Sequence, residues 1–133
     1  MQEKGKRRYD LEDRLLDYSV RIIKLVEELP NTRTGNHVAN HLLRSGTSPY
    51  PNHGEAQAAE SPNDFIHKLR ICLKEPREAK RWLKLIQSVP LMKTPEIKDL
   101  LEETEELIKI FLQAYGRLIK TGDHPLLNIE LAI

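Results

Sequence analysis

Five cations, Arg70, Lys74, Arg77, Arg81 and Lys84, recur at intervals of four, three, four and three residues. On an α-helix that spacing puts all five on one side, over roughly 20 Å of axis, while Glu75 and Glu78 point elsewhere. Such a row can track the phosphates of a nucleic acid, because each Arg or Lys neutralises a backbone charge and releases its counterion. It equally describes a solvated face whose charges pair with an acidic neighbour, and the segment after Pro95 offers Glu96, Asp99, Glu102, Glu103, Glu105 and Glu106. No aromatic residue interleaves the stripe to stack bases, so backbone contact is expected ahead of sequence readout.

Other groupings carry less chemistry. Arg44, Ser48, Asn52 and Glu55 fall four, four and three residues apart and form a polar ridge, suited to interhelical hydrogen bonds or to binding. His37 and His41 have the i, i+4 spacing of helical zinc sites, but the Val-Ala-Asn between them lacks the glutamate that activates water. They are expected to be exposed or hydrogen-bonded rather than metal ligands. Ser45 and Ser48 have no nucleophile-elbow context, and Cys72 sits among Leu69, Leu73 and Pro76, where a core thiol is expected. No glycine loop for phosphates occurs. Enzyme activity, a metal and a cofactor are therefore not expected.

The chain has 133 residues and a mass of 15.4 kDa, enough for one domain with one core. Lys and Arg total 21 against 20 Asp and Glu, a net charge of +1, which excludes a histone-like polycation. With 39% hydrophobic and 31% charged residues the chain is not of disordered composition. No apolar run approaches the ~18 residues of a membrane span, and the N-terminus leads into no signal region. A cytoplasmic protein is expected, and the single Cys72, unable to form an internal disulfide, agrees with a reducing compartment.

The elements that must position these groups are four helices. The first starts after Asp10, a candidate N-cap, and sets Leu11, Leu15, Tyr18, Ile22, Leu25, Val26 and Leu29 on one face before Pro30. After a turn over 30–35, Val38, Ala39, Leu42, Leu43 and Gly46 begin a second helix toward Ala59. Pro49 and Pro51 predict a kink near Ser45 to Tyr50, or a break into two pieces. Ser61-Pro62 opens a third helix to about Gln87, with a second kink expected at Pro76, and Thr94-Pro95 opens a fourth that runs to Gly122. Nothing alternates like a half-buried strand, so the expected fold is all-α, an antiparallel up-and-down four-helix bundle with a kinked second helix. It should occupy residues 10–121, between a flexible basic N-terminus (1–9) and an apolar C-terminal tail (122–133) that docks on the bundle or on a neighbouring subunit.

On the first helix, Leu16, Val20 and Ile23 lie away from the main apolar stripe and widen it beyond what a monomeric bundle needs. Self-association would cover them; so would the tail or a long neighbouring helix.

The stretch Leu43-Arg44-Ser45-Gly46-Thr47-Ser48-Pro49-Tyr50-Pro51-Asn52-His53-Gly54-Glu55-Ala56, with the helix that holds Phe65, resembles the bacterial 23S rRNA intervening-sequence proteins over about residues 10 to 120. In that family the second helix typically reads Arg-Ala-x-x-Ser-Ile-Pro-x-Asn-Ile-Ala-Glu-Gly. Arg44, Ser48, Asn52 and Glu55 match it residue by residue, and Glu78 matches a glutamate typical of the third helix. Pro49 replaces the usual Ile, Tyr50 the usual Pro and Ala56 the final Gly, while Lys74-Glu75-Pro76 replaces a Gly-Ser-Leu run, the pattern of a divergent branch. The resemblance implies a four-helix bundle, a homopentameric ring and no enzyme activity. Some relatives are encoded inside insertions in 23S rRNA genes; others resemble the basic accessory proteins of diversity-generating retroelements, which bind a reverse transcriptase and nucleic acid. The expected function is a non-enzymatic oligomeric adaptor that binds RNA or a nucleoprotein partner, such as a reverse transcriptase, through the basic stripe. The alternative is a purely protein-binding or structural homo-oligomer, with no nucleic-acid role, whose stripe is consumed by ion pairs between subunits.

Overall fold

The computed structural model describes residues 10–121, with side-chain surroundings given as far as Leu118. The expected N-terminal arm (1–9) and C-terminal tail (122–133) lie outside the described residues. Five helical segments follow one another: α1 (Leu11–Glu27), α2 (Arg33–Thr47), α3 (Pro49–Gln57), α4 (Pro62–Ser88) and α5 (Pro95–Thr121).

Local chemistry sets the starts. Asp10 Oδ1 accepts from Asp13 N at 2.8 Å and Ser61 Oγ from Asp64 N at 3.1 Å, each satisfying an amide that the first helical turn leaves without a partner. Thr32 Oγ1 does the same for Gly35 N at 3.0 Å, so α2 begins five residues before the expected Val38. Gly35 is needed there for space: a Cβ would lie 2.0 Å from the carbonyl oxygen of Pro30.

Segments α2 and α3 are the kinked second helix. Pro49 and Pro51 cannot donate to Ser45 and Thr47, and Ser45 Oγ and Thr47 Oγ1 instead donate back to His41 O (2.9 Å) and Leu43 O (2.7 Å), a pairing that bends helices. Ser48 stays helical (φ −61°, ψ −36°), and its carbonyl accepts from Asn52 N at 3.2 Å, so the chain turns at the prolines without leaving the helical region. Helix α4 continues through the buried Pro76 over its full 27 residues.

Ion pairs give the register. Arg14 and Arg21 of α1 meet Glu103 and Glu96 of α5, both at 2.8 Å, so the two helices run in opposite directions. Arg44 of α2 meets Glu75 of α4 and Glu55 of α3 meets Lys68 of α4, again in opposite order. The result is an antiparallel bundle around Leu15, Tyr18, Ile22, Leu42, Leu73, Leu83, Ile86, Leu100, Leu107, Phe111 and Tyr115. Where α1 crosses α2 the approach is close enough that a Cβ on Gly46 would sit 2.8 Å from Ile22.

Candidate nucleic-acid interface

The stripe lies on the outer side of α4, opposite the buried Leu69, Cys72, Leu73, Pro76, Ala79, Leu83 and Ile86. Lys74, Arg81 and Lys84 are exposed, Arg70 and Arg77 half-buried. Within the chain, the paired acids of α5 have partners other than Lys74, Arg77, Arg81 and Lys84. Glu96 and Glu103 are engaged by Arg21 and Arg14 of α1, Glu106 lies near Lys109 of its own helix, and Glu105 pairs with Lys80, which is not a stripe residue. Among the described residues, Lys74, Arg77, Arg81 and Lys84 make no ion pair. Glu96 and Glu103 reach across to α1, and Glu105, although it shares a cleft with Arg77, Arg81 and Lys84, is taken by Lys80.

Two hollows flank the stripe. At its C-terminal end Arg77, Lys80, Arg81 and Lys84 of α4 face Glu105 and Ile108 of α5 across an open cleft of about 440 Å³. At its N-terminal end His67, Arg70, Ile71 and Lys74 surround a smaller hollow of about 150 Å³. Lys80, Glu105 and Ile108 were not among the expected site residues. The signal for Lys80 was present, three residues after Arg77 and four before Lys84, but the partners from α5 required the pairing of the two helices.

The ridge Arg44, Ser48, Asn52 and Glu55 is a seam. Arg44 Nη1 donates to Glu75 at 2.7 Å and Nη2 to Glu78 at 2.6 Å, and Glu55 accepts from Lys68 at 2.5 Å, so both ends fasten the second helix to α4. In the middle Asn52 Nδ2 donates to the carbonyl (2.9 Å) and hydroxyl (3.0 Å) of Ser48 within the same helix. Of the two uses the spacing allowed, the structure shows hydrogen bonding. Glu75 is only 7% exposed and has Arg44 as its counterion. Burial raises the pKa of Glu78, but the N–H of Trp82 at 3.0 Å, together with the hydrogen bond and charge of Arg44, outweighs this and holds the carboxyl below its ordinary value.

His37 and His41 also face α4. The His41 ring stacks on Trp82 (centroids 4.8 Å apart, 21° between planes), and His37 meets the same indole edge-on at 5.8 Å. Among the described residues no cluster of three or more His, Cys, Asp or Glu can hold a metal. Cys72 is buried, with its thiol directed at the Pro49 carbonyl, and burial pushes its pKa up to about 12, which is inert at neutral pH. Leu16, Val20 and Ile23 on α1 are 44%, 39% and 43% exposed, an apolar patch that no described segment covers. Among the described residues no helix is long and apolar enough to cross a membrane.

Comparison with known proteins agrees with the fold. A crystal structure from Bacteroides thetaiotaomicron, described as a protein of unknown function from the S23 ribosomal protein family, superposes with a TM-score of 0.73 at 32% identity, covering 79% of this chain and 97% of that one. No curated protein matches the chain. The family described as 23S rRNA-intervening sequence protein matches residues 9–113, nearly the whole bundle. On that match, and on the helical architecture that carries it, the chain belongs to the 23S rRNA-intervening sequence protein family.

Proposed function

We propose that this chain is a non-enzymatic, self-associating binding protein that holds RNA, free or within a nucleoprotein, along the outer side of α4. One observation carries the reading: Lys74, Arg77, Arg81 and Lys84 have no ion-pair partner among the described residues, although the molecule has nearly as many acids as bases. Cations that no carboxylate engages are available to phosphates. A reverse transcriptase carrying its nucleic acid would present the same backbone.

The test is a salt titration of RNA binding. Replacing the exposed Lys74, Arg81 and Lys84 by Gln is expected to weaken binding to unrelated RNA sequences alike and to flatten the log–log salt slope by about 0.7 to 0.9 per lost contact. Fold and particle size should persist, because none of the three is buried. Wild-type protein without RNA affinity at about 50 mM salt overturns the reading, since backbone contacts are strongest when counterions are dilute.

The exposed Leu16, Val20 and Ile23 favour a second reading, in which assembly is the whole function and the chain is a scaffold for itself or another protein. It predicts particles that form normally and bind no RNA.

A further inference from the structure

The phosphate-binding reading of the stripe leaves open which form of nucleic acid fits it, and the two hollows bear on this. Each sets cations beside one isoleucine: Arg77, Arg81 and Lys84 beside Ile108 in the larger, Arg70 and Lys74 beside Ile71 in the smaller. The larger, at about 440 Å³, has room for one nucleotide, with phosphate on the cations and base or sugar against Ile108. Their centres are about ten residues apart on α4, or roughly 15 Å, a span of two to three nucleotides of extended strand.

A duplex cannot use such hollows. Its bases are stacked and paired inside, so it offers only phosphates to a convex helix face and leaves the hollows beside the half-buried Ile71 and the largely buried Ile108 unfilled. A single strand can turn a base or sugar into each hollow while its phosphates follow the stripe, and an arginine guanidinium can lie flat on an unstacked base. Resting on the RNA-binding reading above, we infer that the cleft between α4 and α5 is a seat for single-stranded RNA, with Arg77, Arg81 and Lys84 on the phosphate and Ile108 beneath the nucleoside.

Glu105 makes the inference testable by gain rather than loss. Among the described residues it is the one acid lining the cleft, and it holds Lys80 there in an ion pair. Glu105→Gln removes a charge that repels phosphate and releases Lys80 toward it. Glu106→Gln changes the net charge equally, but Glu106 is exposed and does not line the cleft.

The experiment measures binding of the full chain to an oligouridine of about 12 nucleotides and to an RNA duplex of about 12 base pairs at about 50 mM salt. The expected result is a preference of about tenfold or more for the single strand, and a further tightening of about threefold with Glu105→Gln but not with Glu106→Gln. Equal binding of strand and duplex overturns the inference and leaves the RNA-binding reading standing. So does a single-strand preference that Glu105→Gln leaves unchanged, or that Glu106→Gln raises as much. Absence of binding to either RNA overturns the RNA-binding reading and this inference with it.

Discussion

The hydroxyls of Tyr18 and Thr104 meet at 2.5 Å in the buried seam between α1 and α5, and the proton between them belongs to Tyr18. Thr104 Oγ1 donates its single proton to the Leu100 carbonyl at 2.6 Å, so it can only accept from the phenol. The two residues therefore differ in what their loss leaves behind. Tyr18→Phe strands nothing, because Thr104 keeps its own acceptor, and is expected to cost about 0.5 to 1.5 kcal/mol. Thr104→Val leaves a buried phenol without an acceptor, at about 1 to 3 kcal/mol. Urea denaturation should rank Thr104→Val as the more harmful, with the double variant better than the sum of the two.

Alkaline stability should report the same burial. Burial pushes Tyr18 up from 10.0 to about 12, the hydrogen bond with Thr104 opposing it, and burial pushes Cys72 up from 9.0 to about 12. Above each ordinary value the unfolded chain gives up its proton first, so the folded state holds more protons. Stability contributed by these groups is intact below pH 9 and is lost as pH rises through about 12. Cys72→Ala should flatten the start of that decline and Tyr18→Phe its continuation above pH 10, whatever their effect at neutral pH.

The seam between α2 and α4 depends on Arg44. Arg44→Gln leaves the buried Glu75 without its counterion and is expected to cost about 1 to 3 kcal/mol. Glu75→Gln on that background should recover part of the loss in chemical denaturation, because no charge is then left behind. Recovery of nothing would mean that packing of the arginine stem, not its charge, is what matters.

Three glycines give a graded series. Gly35→Ala drives a Cβ into the Pro30 carbonyl oxygen, which cannot yield without moving backbone, and should cost about 2 kcal/mol or more. Gly46→Ala meets only the Ile22 side chain and should cost less. Gly54→Ala meets nothing within 4 Å in the middle of α3, and is expected to stabilise by about 0.5 to 1 kcal/mol. Thermal melts of the three single variants check the order.

Self-association has a direct reading in light scattering. The expected particle is a multiple of 15.4 kDa, a pentamer in the proposal carried from the family resemblance, and Val20→Lys should reduce it to a single chain by placing a charge in the middle of the α1 patch. A wild-type monomer at micromolar concentration would remove assembly from the proposed function.

Much of the bundle was legible because its signals are local. Asp10 and Ser61 announce their helices by a side chain that reaches three residues ahead, and Pro49 with Pro51 announces the bend by two missing donors. Thr32 carried the same capping signal, but Pro30-Asn31-Thr32-Arg33-Thr34-Gly35 also has the composition of a turn, and the bond from Gly35 N to Thr32 Oγ1 shows that the helix starts inside it. Pro76 is read from the sequence as a kink, and α4 runs through it as one helix of 27 residues with the proline buried. The stripe on α4 was legible from spacing alone. Its counterions were not, because periodicity says which side of a helix a charge occupies and nothing about which neighbour stands opposite. Glu103 and Arg14 lie 89 residues apart, and no local pattern connects them.

That division of charge leaves a local strip of unpaired cations on the described bundle of a chain with nearly zero total charge. Glu96 and Glu103 of α5 are held against α1 while Lys74, Arg81 and Lys84 stand exposed on α4, so bulk indicators such as an isoelectric point near 7.9 understate how it behaves at short range. A polyanionic column should retain it above that pH, when a uniformly charged protein of the same composition would pass through. Any polyanion approaching within a Debye length, about 8 Å at physiological salt, would also turn it to present α4 before contact is made.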